Sequence, residues 1–274
     1  MPWNDPAGRF SPLKAVTLLL VLYPAVMLLG RWVAGDLGGR PFTEAIHRSG
    51  DWAVRFLVLS VAVTPMRAVL NWPRVVLLRR MLGVAAASYA GLHVFLYLGD
   101  QKWNAWVVVS EIVLRFYLTI GFVALCLLVA LAVTSTDGWQ RRLRQNWKRL
   151  HRWVFPATAL ALFHYALQSK VNVTDALFWT GVFLWLWLWR RLPRGQQTRL
   201  AVLAAMAPVT ALATAAVEIT WYGLATKVDP WRVAAANLEF APDRRPASQV
   251  LVLALVVVAV VALRRVRWRR APAT

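Results

Sequence analysis

The stretch NWKRLHRWVFPATALALFHYALQ, residues 146–168, passes from a basic cluster into an apolar run and carries two histidines. His151 stands beside the cluster and His164 lies well inside the run. An imidazole in hydrocarbon is costly, so an ionisable group at that depth is a functional candidate by default. The run is one of eight in the chain, which cover roughly Lys14–Leu29, Trp52–Met66, Met81–Leu98, Ile112–Val133, Trp153–Leu167, Ala176–Trp189, Leu200–Val217 and Val250–Leu263. Such runs match the length that a hydrocarbon core of about 30 Å demands. With 59% hydrophobic and only 16% charged residues among 274, the chain reads as an all-α, polytopic transmembrane helical bundle.

A formal charge of +20 raises nucleic-acid binding as a possibility, and the placement of the charges argues against it. Segments 1–14, 67–80, 134–152, 190–199 and 264–274 lie on one side and hold 21 of the 32 Lys and Arg, with Asp5 and Asp137 as their acids. The other side carries 11 Lys and Arg against ten acids. The positive-inside rule then places both termini in the cytoplasm, N-in and C-in. The basicity is topology, and membrane lipid rather than nucleic acid is its partner.

The first apolar run is longer than a signal-peptide core and no small-x-small cleavage pattern follows it, so it is expected to stay as an anchor. Cys126 is the single cysteine, which excludes an intramolecular disulfide, a CxxC pair and a cysteine-ligated iron–sulfur cluster. Any redox chemistry therefore needs nitrogen ligands or an organic cofactor. Of 16 tryptophans, Trp52, Trp103, Trp106, Trp147, Trp153, Trp221 and Trp268 fall near span ends, as an aromatic belt would. Trp185, Trp187 and Trp189 alternate along the sixth span and read as lipid-facing. Segment 31–51 reads as an outer loop with a short helical stretch leading into span two, and His47 in it faces water. Thr136 or Asp137 is placed to cap a short cytoplasmic helix. Pro24, Pro65, Pro156 and Pro208 lie in or at the ends of spans, where they kink a helix and free carbonyls. The outer loop 218–248, with four basic and four acidic residues, is left undecided between order and disorder, and no internal repeat is evident.

Four histidines keep the search for partners short. His93 stands 13 residues past Arg80 in span three, about 20 Å along a helix. His164 stands 12 residues past Arg152 in span five, which rises in the same direction. Both reach the same level in the outer half of the bilayer, on different helices. Two nitrogens at matched height suit the axial positions of one heme iron. One and two turns before them lie Ala90 and Ala86, and Ala161 and Ala157. These small side chains either let a flat macrocycle approach or serve helix packing, which membrane helices favour anyway. His151 precedes His164 by 13 residues, a turn of about 220° on an ideal helix, so the rings point apart unless Pro156 shifts the phase. Arg79 and Arg80, not a histidine, stand at the matching level of span three. His151 is thus either an interfacial residue, a cytoplasmic-side site for quinone or flavin, or a single ligand to a second heme.

Arg55, one turn into span two, either snorkels to the interface or pairs with a heme propionate on an outward edge. The rise of about 20 Å from His151 to His164 is long for one electron hop, which calls for a second carrier on the cytoplasmic side. FMN, quinol or another heme near His151 would serve, and Arg79, Arg80, Lys148 and Arg149 would suit a flavin phosphate.

Four ordered pieces carry a family resemblance: TPMR at 64–67, RRMLGVAAASYAGLHVFLYL at 79–98, YLTIGFVALCLLVALAVTST at 117–136 and WKRLHRWVFPATALALFHY at 147–165. Over about 180 residues the chain resembles the heme-binding membrane subunits of bacterial periplasmic protein-methionine-sulfoxide reductase systems, in the ferric-reductase-like transmembrane group. The resemblance implies a six-helix ferric-reductase-like core within residues 1–192 and leaves 193–274 as an extension with two further transmembrane helices. It implies heme b, one or two per chain, in a multi-pass protein of the bacterial inner membrane. Its heme histidines fall on His93, His151 and His164. The donor implied is the quinol pool or a cytosolic flavin reductase, with FMN as a further cofactor. The acceptor implied is a periplasmic molybdopterin-containing subunit that reduces methionine sulfoxide in oxidised proteins, so the catalytic residues are expected on the partner and none on this chain.

Two rivals remain at this stage. A quinol-linked ferric or cupric reductase would use the same heme to reduce an external metal. A non-redox transporter or structural protein would use the histidines as polar links between helices. No G-x-G-x-x-G follows span six, which argues against a self-contained NADPH enzyme.

Overall fold

The computed structural model describes residues 3–4, 8–169, 172–243 and 245–270, the last four of these as backbone only. Trp268, assigned to the aromatic belt, therefore has no described side chain, and Asp5 lies outside the described residues. Eleven α-helices run in order among the described residues: α1 (Pro12–Val33), α2 (Pro41–Leu70), α3 (Leu78–Asp100), α4 (Ala105–Leu114), α5 (Phe116–Val133), α6 (Asp137–Leu150), α7 (Val154–Gln168), α8 (Thr174–Arg191), α9 (Leu200–Ala225), α10 (Pro230–Ala236) and α11 (Pro246–Arg270). Short 3-10 turns cover Pro73–Leu77 and His151–Trp153. Six helical segments are long and apolar enough to cross a membrane: Pro12–Val33, Pro41–Leu70, Pro73–Asp100, Phe116–Val133, Leu200–Ala225 and Pro246–Val266. The protein is an all-helical, multi-pass membrane protein. α7 and α8 cover the other two expected spans; α7 has 15 residues, about 22 Å at 1.5 Å per residue.

Local chemistry sets several boundaries. Asn104 caps α4 by accepting the Val107 amide at 3.2 Å. Thr136, one of the two expected caps, accepts the Trp139 amide at the start of α6. The expected fourth span, Ile112–Val133, is divided. Residues 112–114 belong to α4, and Arg115 adopts extended backbone (φ −108°, ψ 102°) before α5 begins. The Arg115 side chain holds Glu111 at 2.7 Å and the Tyr117 hydroxyl at 3.1 Å, and Tyr97 donates to Glu111 at 2.9 Å. These polar contacts stabilise a corner where hydropathy alone shows a continuous run. The helical stretch expected within segment 31–51 is the start of α2 at Pro41, which runs on into span two, and His47 stands exposed on it.

The chain divides into two compact units. The first comprises residues up to Val61 together with Val76–Gln168. Within it α5 packs along α7 and α3, α1 packs on α3, and α4 packs on α5. Its core joins Ala53, Phe56 and Leu57 of α2, Ala85, Ala86 and Tyr89 of α3, Leu128 of α5 and Ala157 of α7. Ala86 and Ala157 are fully buried there, so of the two roles weighed for them, helix packing is the one the structure gives. The Tyr89 hydroxyl donates to the Val21 carbonyl of α1 at 2.8 Å and ties that helix in.

The second unit comprises Ala62–Val75 and the chain from Ser169 onward. In it α9 packs along α11 and α8, and α10 folds onto α9. Gly181 brings the α8 backbone against Thr214 and Val250, a close approach that a Cβ would block. Trp185 and Trp189 are buried, one turn apart, while Trp187 is exposed with Arg191 over its ring at 4.3 Å. The lipid-facing reading of all three is corrected: residues two apart on a helix cannot share a face, and the i, i+4 pair fills the core. Segment 218–248, left undecided between order and disorder, is partly helical. The carboxylate of buried Glu218 accepts from Asn237 at 3.0 Å and pairs with Arg245 at 3.4 Å, which fastens the loop to α9.

Candidate functional site

The first unit brings together the two histidines expected at one level. The rings of His93 on α3 and His164 on α7 lie with centres 6.3 Å apart and planes at 89°. Each Nδ1 sits 2.8 Å from a main-chain carbonyl, Ile46 on α2 for His93 and Tyr117 on α5 for His164. A carbonyl only accepts, so each Nδ1 carries the proton and each Nε2 keeps its lone pair. That is the tautomer a metal-bound imidazole needs, with its second nitrogen anchored to the protein. Two rings of about 1.2 Å radius, each bound through one nitrogen at about 2 Å to a shared metal between them, would have centres about 6.4 Å apart. The observed separation fits one iron between two axial imidazoles. Among the described residues no group of three His, Cys, Asp or Glu could hold a bare metal ion. Gly50 lies against the His93 ring and Gly121 against that of His164.

Arg55 lies five residues beyond Gly50 on α2, about 7.5 Å further along the helix axis. Its guanidinium stands 4.9 Å from the centre of the Trp52 ring.

His151 occupies the 3-10 turn between α6 and α7. Its Nδ1 lies 3.2 Å from the Trp147 carbonyl, its Nε2 lies 3.4 Å from the Ser135 hydroxyl, and its ring stacks on Trp147 with centres 3.9 Å apart. Trp147 in turn donates to the Thr134 carbonyl at 2.9 Å. Burial pushes the His151 imidazole below its ordinary value, and the positive charge of Arg79 pushes the same way, against the Trp147 hydrogen bond. The four basic residues proposed for a phosphate part company. Arg79 is half-buried and its charge acts on His151; Arg80 is exposed and paired with Asp137 at 2.6 Å; Lys148 and Arg149 are exposed on the last turn of α6.

Sequence reasoning missed the carbonyls and glycines that hold the rings. Comparing the chain with itself at an offset of 71 residues would have found them: Gly50 falls on Gly121, Ala86 on Ala157, Ala90 on Ala161 and His93 on His164.

The ferric reductase like transmembrane component family matches residues 49–162, which takes in His93 and His151 and ends two residues before His164. A protein-methionine-sulfoxide reductase heme-binding subunit MsrQ of Rhodospirillum rubrum is 40% identical over 181 residues, 65% of this chain and 85% of the relative. Proteins of the same name from Xanthomonas euvesicatoria and Xanthomonas campestris are 40% and 41% identical over 162 and 155 residues, covering 58% and 56% of this chain and 74% and 71% of theirs. No solved structure matches. With 40% identity over 85% of the Rhodospirillum rubrum relative, the chain belongs to the MsrQ family of protein-methionine-sulfoxide reductase heme-binding subunits.

Proposed function

We propose that the protein is a b-type heme electron-transfer subunit of the bacterial inner membrane, with eight crossings and both termini in the cytoplasm. It passes electrons from the quinol pool or a cytosolic flavin reductase to a periplasmic molybdopterin-containing methionine-sulfoxide reductase that repairs oxidised proteins. The observation that carries this reading is the pair of imidazoles 6.3 Å apart, each held in the metal-binding tautomer by a carbonyl 2.8 Å away.

A heme bound between His93 and His164, within residues 1–192, supplies a one-electron carrier in the outer half of the bilayer. The chain holds the two rings on separate helices, α3 and α7, and buries their Nδ1–H groups against backbone that cannot move without unwinding α2 or α5. Arg55, as its place in span two leads us to expect, suits a heme propionate. At the cytoplasmic end, His151 with Ser135 and Arg79 offers hydrogen-bonding and cationic groups to a quinol or to FMN, and Lys148 and Arg149 remain exposed for a flavin phosphate. The Ser135 hydroxyl near Nε2 favours a hydrogen-bonded donor over a second heme at His151.

The test combines purified protein in nanodiscs, a quinol analogue, and the periplasmic reductase with methionine sulfoxide. A b-type absorption band that reduces with quinol and reoxidises only when reductase and sulfoxide are both present supports the proposal. Reoxidation by ferric or cupric chelates alone would favour a metal reductase, and colourless protein from heme-replete cells would favour a non-redox role.

A further inference from the structure

Resting on the heme reading above, we infer that Gly50 and Gly121 are positioning residues that set where, and at what angle, His93 and His164 present their free nitrogens. The two rings sit in matching cradles. In each, a carbonyl at position i receives Nδ1, a glycine stands at i+4, and the histidine follows at i+47. The second set, Tyr117, Gly121 and His164, repeats the first, Ile46, Gly50 and His93, 71 residues later. The absence of a repeat in the sequence reading is corrected by this correspondence.

Helix geometry explains the glycines. The carbonyl of residue i already accepts from the amide of i+4, so a second donor reaches it over the surface of residue i+4. A ring lying there needs that surface bare. A Cβ on Gly50 would stand 2.9 Å from Nδ1 and 3.1 Å from Cε1 of His93. A Cβ on Gly121 would stand 2.8 Å from both Nδ1 and Cε1 of His164. A ring free to swing could yield, but one fixed at Nδ1 by a carbonyl and at Nε2 by iron has nowhere to go. Helical Gly83 and Gly91 of α3 have nothing within 4 Å of an added Cβ. They are controls for the general effect of adding a methyl group to a membrane helix.

The experiment compares full-length Gly50→Ala and Gly121→Ala with Gly83→Ala and Gly91→Ala, by heme retention and by electron paramagnetic resonance of the ferric protein. Wild type is expected to give the strongly anisotropic low-spin signal of crossed imidazole planes. Each cradle variant is expected to shift that signal and to hold heme about tenfold to a hundredfold more weakly, the usual cost of disturbing a ligand's outer partner. Both controls keep the wild-type signal. The cradles lie on separate helix pairs, so if one variant does not accumulate, the other decides, read in membranes without purification. Cradle variants with wild-type signal and retention overturn the inference while leaving the heme reading intact. A wild type without heme overturns the reading itself.

Discussion

The two ends of the first unit hold histidine in different ways. All three imidazoles near the spans rest their Nδ1 on a main-chain carbonyl, Ile46, Tyr117 or Trp147. The difference lies on their other sides. His93 and His164 lie on bare glycine surface and face each other. His151 lies on an indole ring and faces a serine hydroxyl, with Arg79 close by. A ring with a second imidazole across from it can share a metal, whereas a ring beside a hydroxyl and a cation is better suited to exchanging protons or hydrogen bonds.

The comparison breaks first at the ligands. His93→Ala or His164→Ala should each reduce heme content from one per chain to below about a tenth of that, since losing one strong axial bond leaves a weak five-coordinate site. Pyridine hemochrome assay against protein concentration measures this. His151→Ala, by contrast, should keep the heme complement and slow reduction by the quinol or flavin donor by about a hundredfold, the low end of what losing a positioned proton acceptor costs. Stopped-flow reduction checks the rate; loss of half the heme would instead make His151 a ligand and erase the contrast.

Acidification sharpens it further. Because the fold holds His151 below its ordinary value of 6.5, the unfolded chain takes up the proton more readily. The contribution of the neutral ring is complete above that value and is lost as pH falls below it toward the lowered one. Thermal midpoints should therefore drop more between pH 7.5 and 5.5 for wild type than for His151→Gln. The smallest effect is expected at Arg80→Ala. Its ion pair with Asp137 is exposed on both partners, so removal should cost under about 1 kcal/mol in a denaturant titration and leave the heme spectrum untouched.

How much of this was legible in the sequence follows from what each signal depends on. The apolar runs announced the helices because hydrocarbon imposes length. Counting residues from Arg80 and Arg152 brought His93 and His164 to one level because helical rise is constant. The corner at Arg115 was not legible: Glu111, Tyr97 and Tyr117 meet there only after folding, and a hydropathy window averages over one extended residue. The orientation of Trp185 and Trp189 depends on which face of α8 meets α9 and α11, and a tryptophan count does not give that. The cradles were present as Gly50 and Gly121 all along, but their meaning lies in a carbonyl one turn away and a ring 43 residues later, a relation that only coordinates or self-comparison reveal.

The most direct measurement of the central claim is the coordination state of the bound iron in the full chain, followed by resonance Raman and magnetic circular dichroism as His93 and His164 are replaced singly. The account predicts one six-coordinate, low-spin, bis-imidazole heme per chain in the wild type, and loss of that signature in either variant. A six-coordinate bis-imidazole signature that survives replacement of either residue would contradict it.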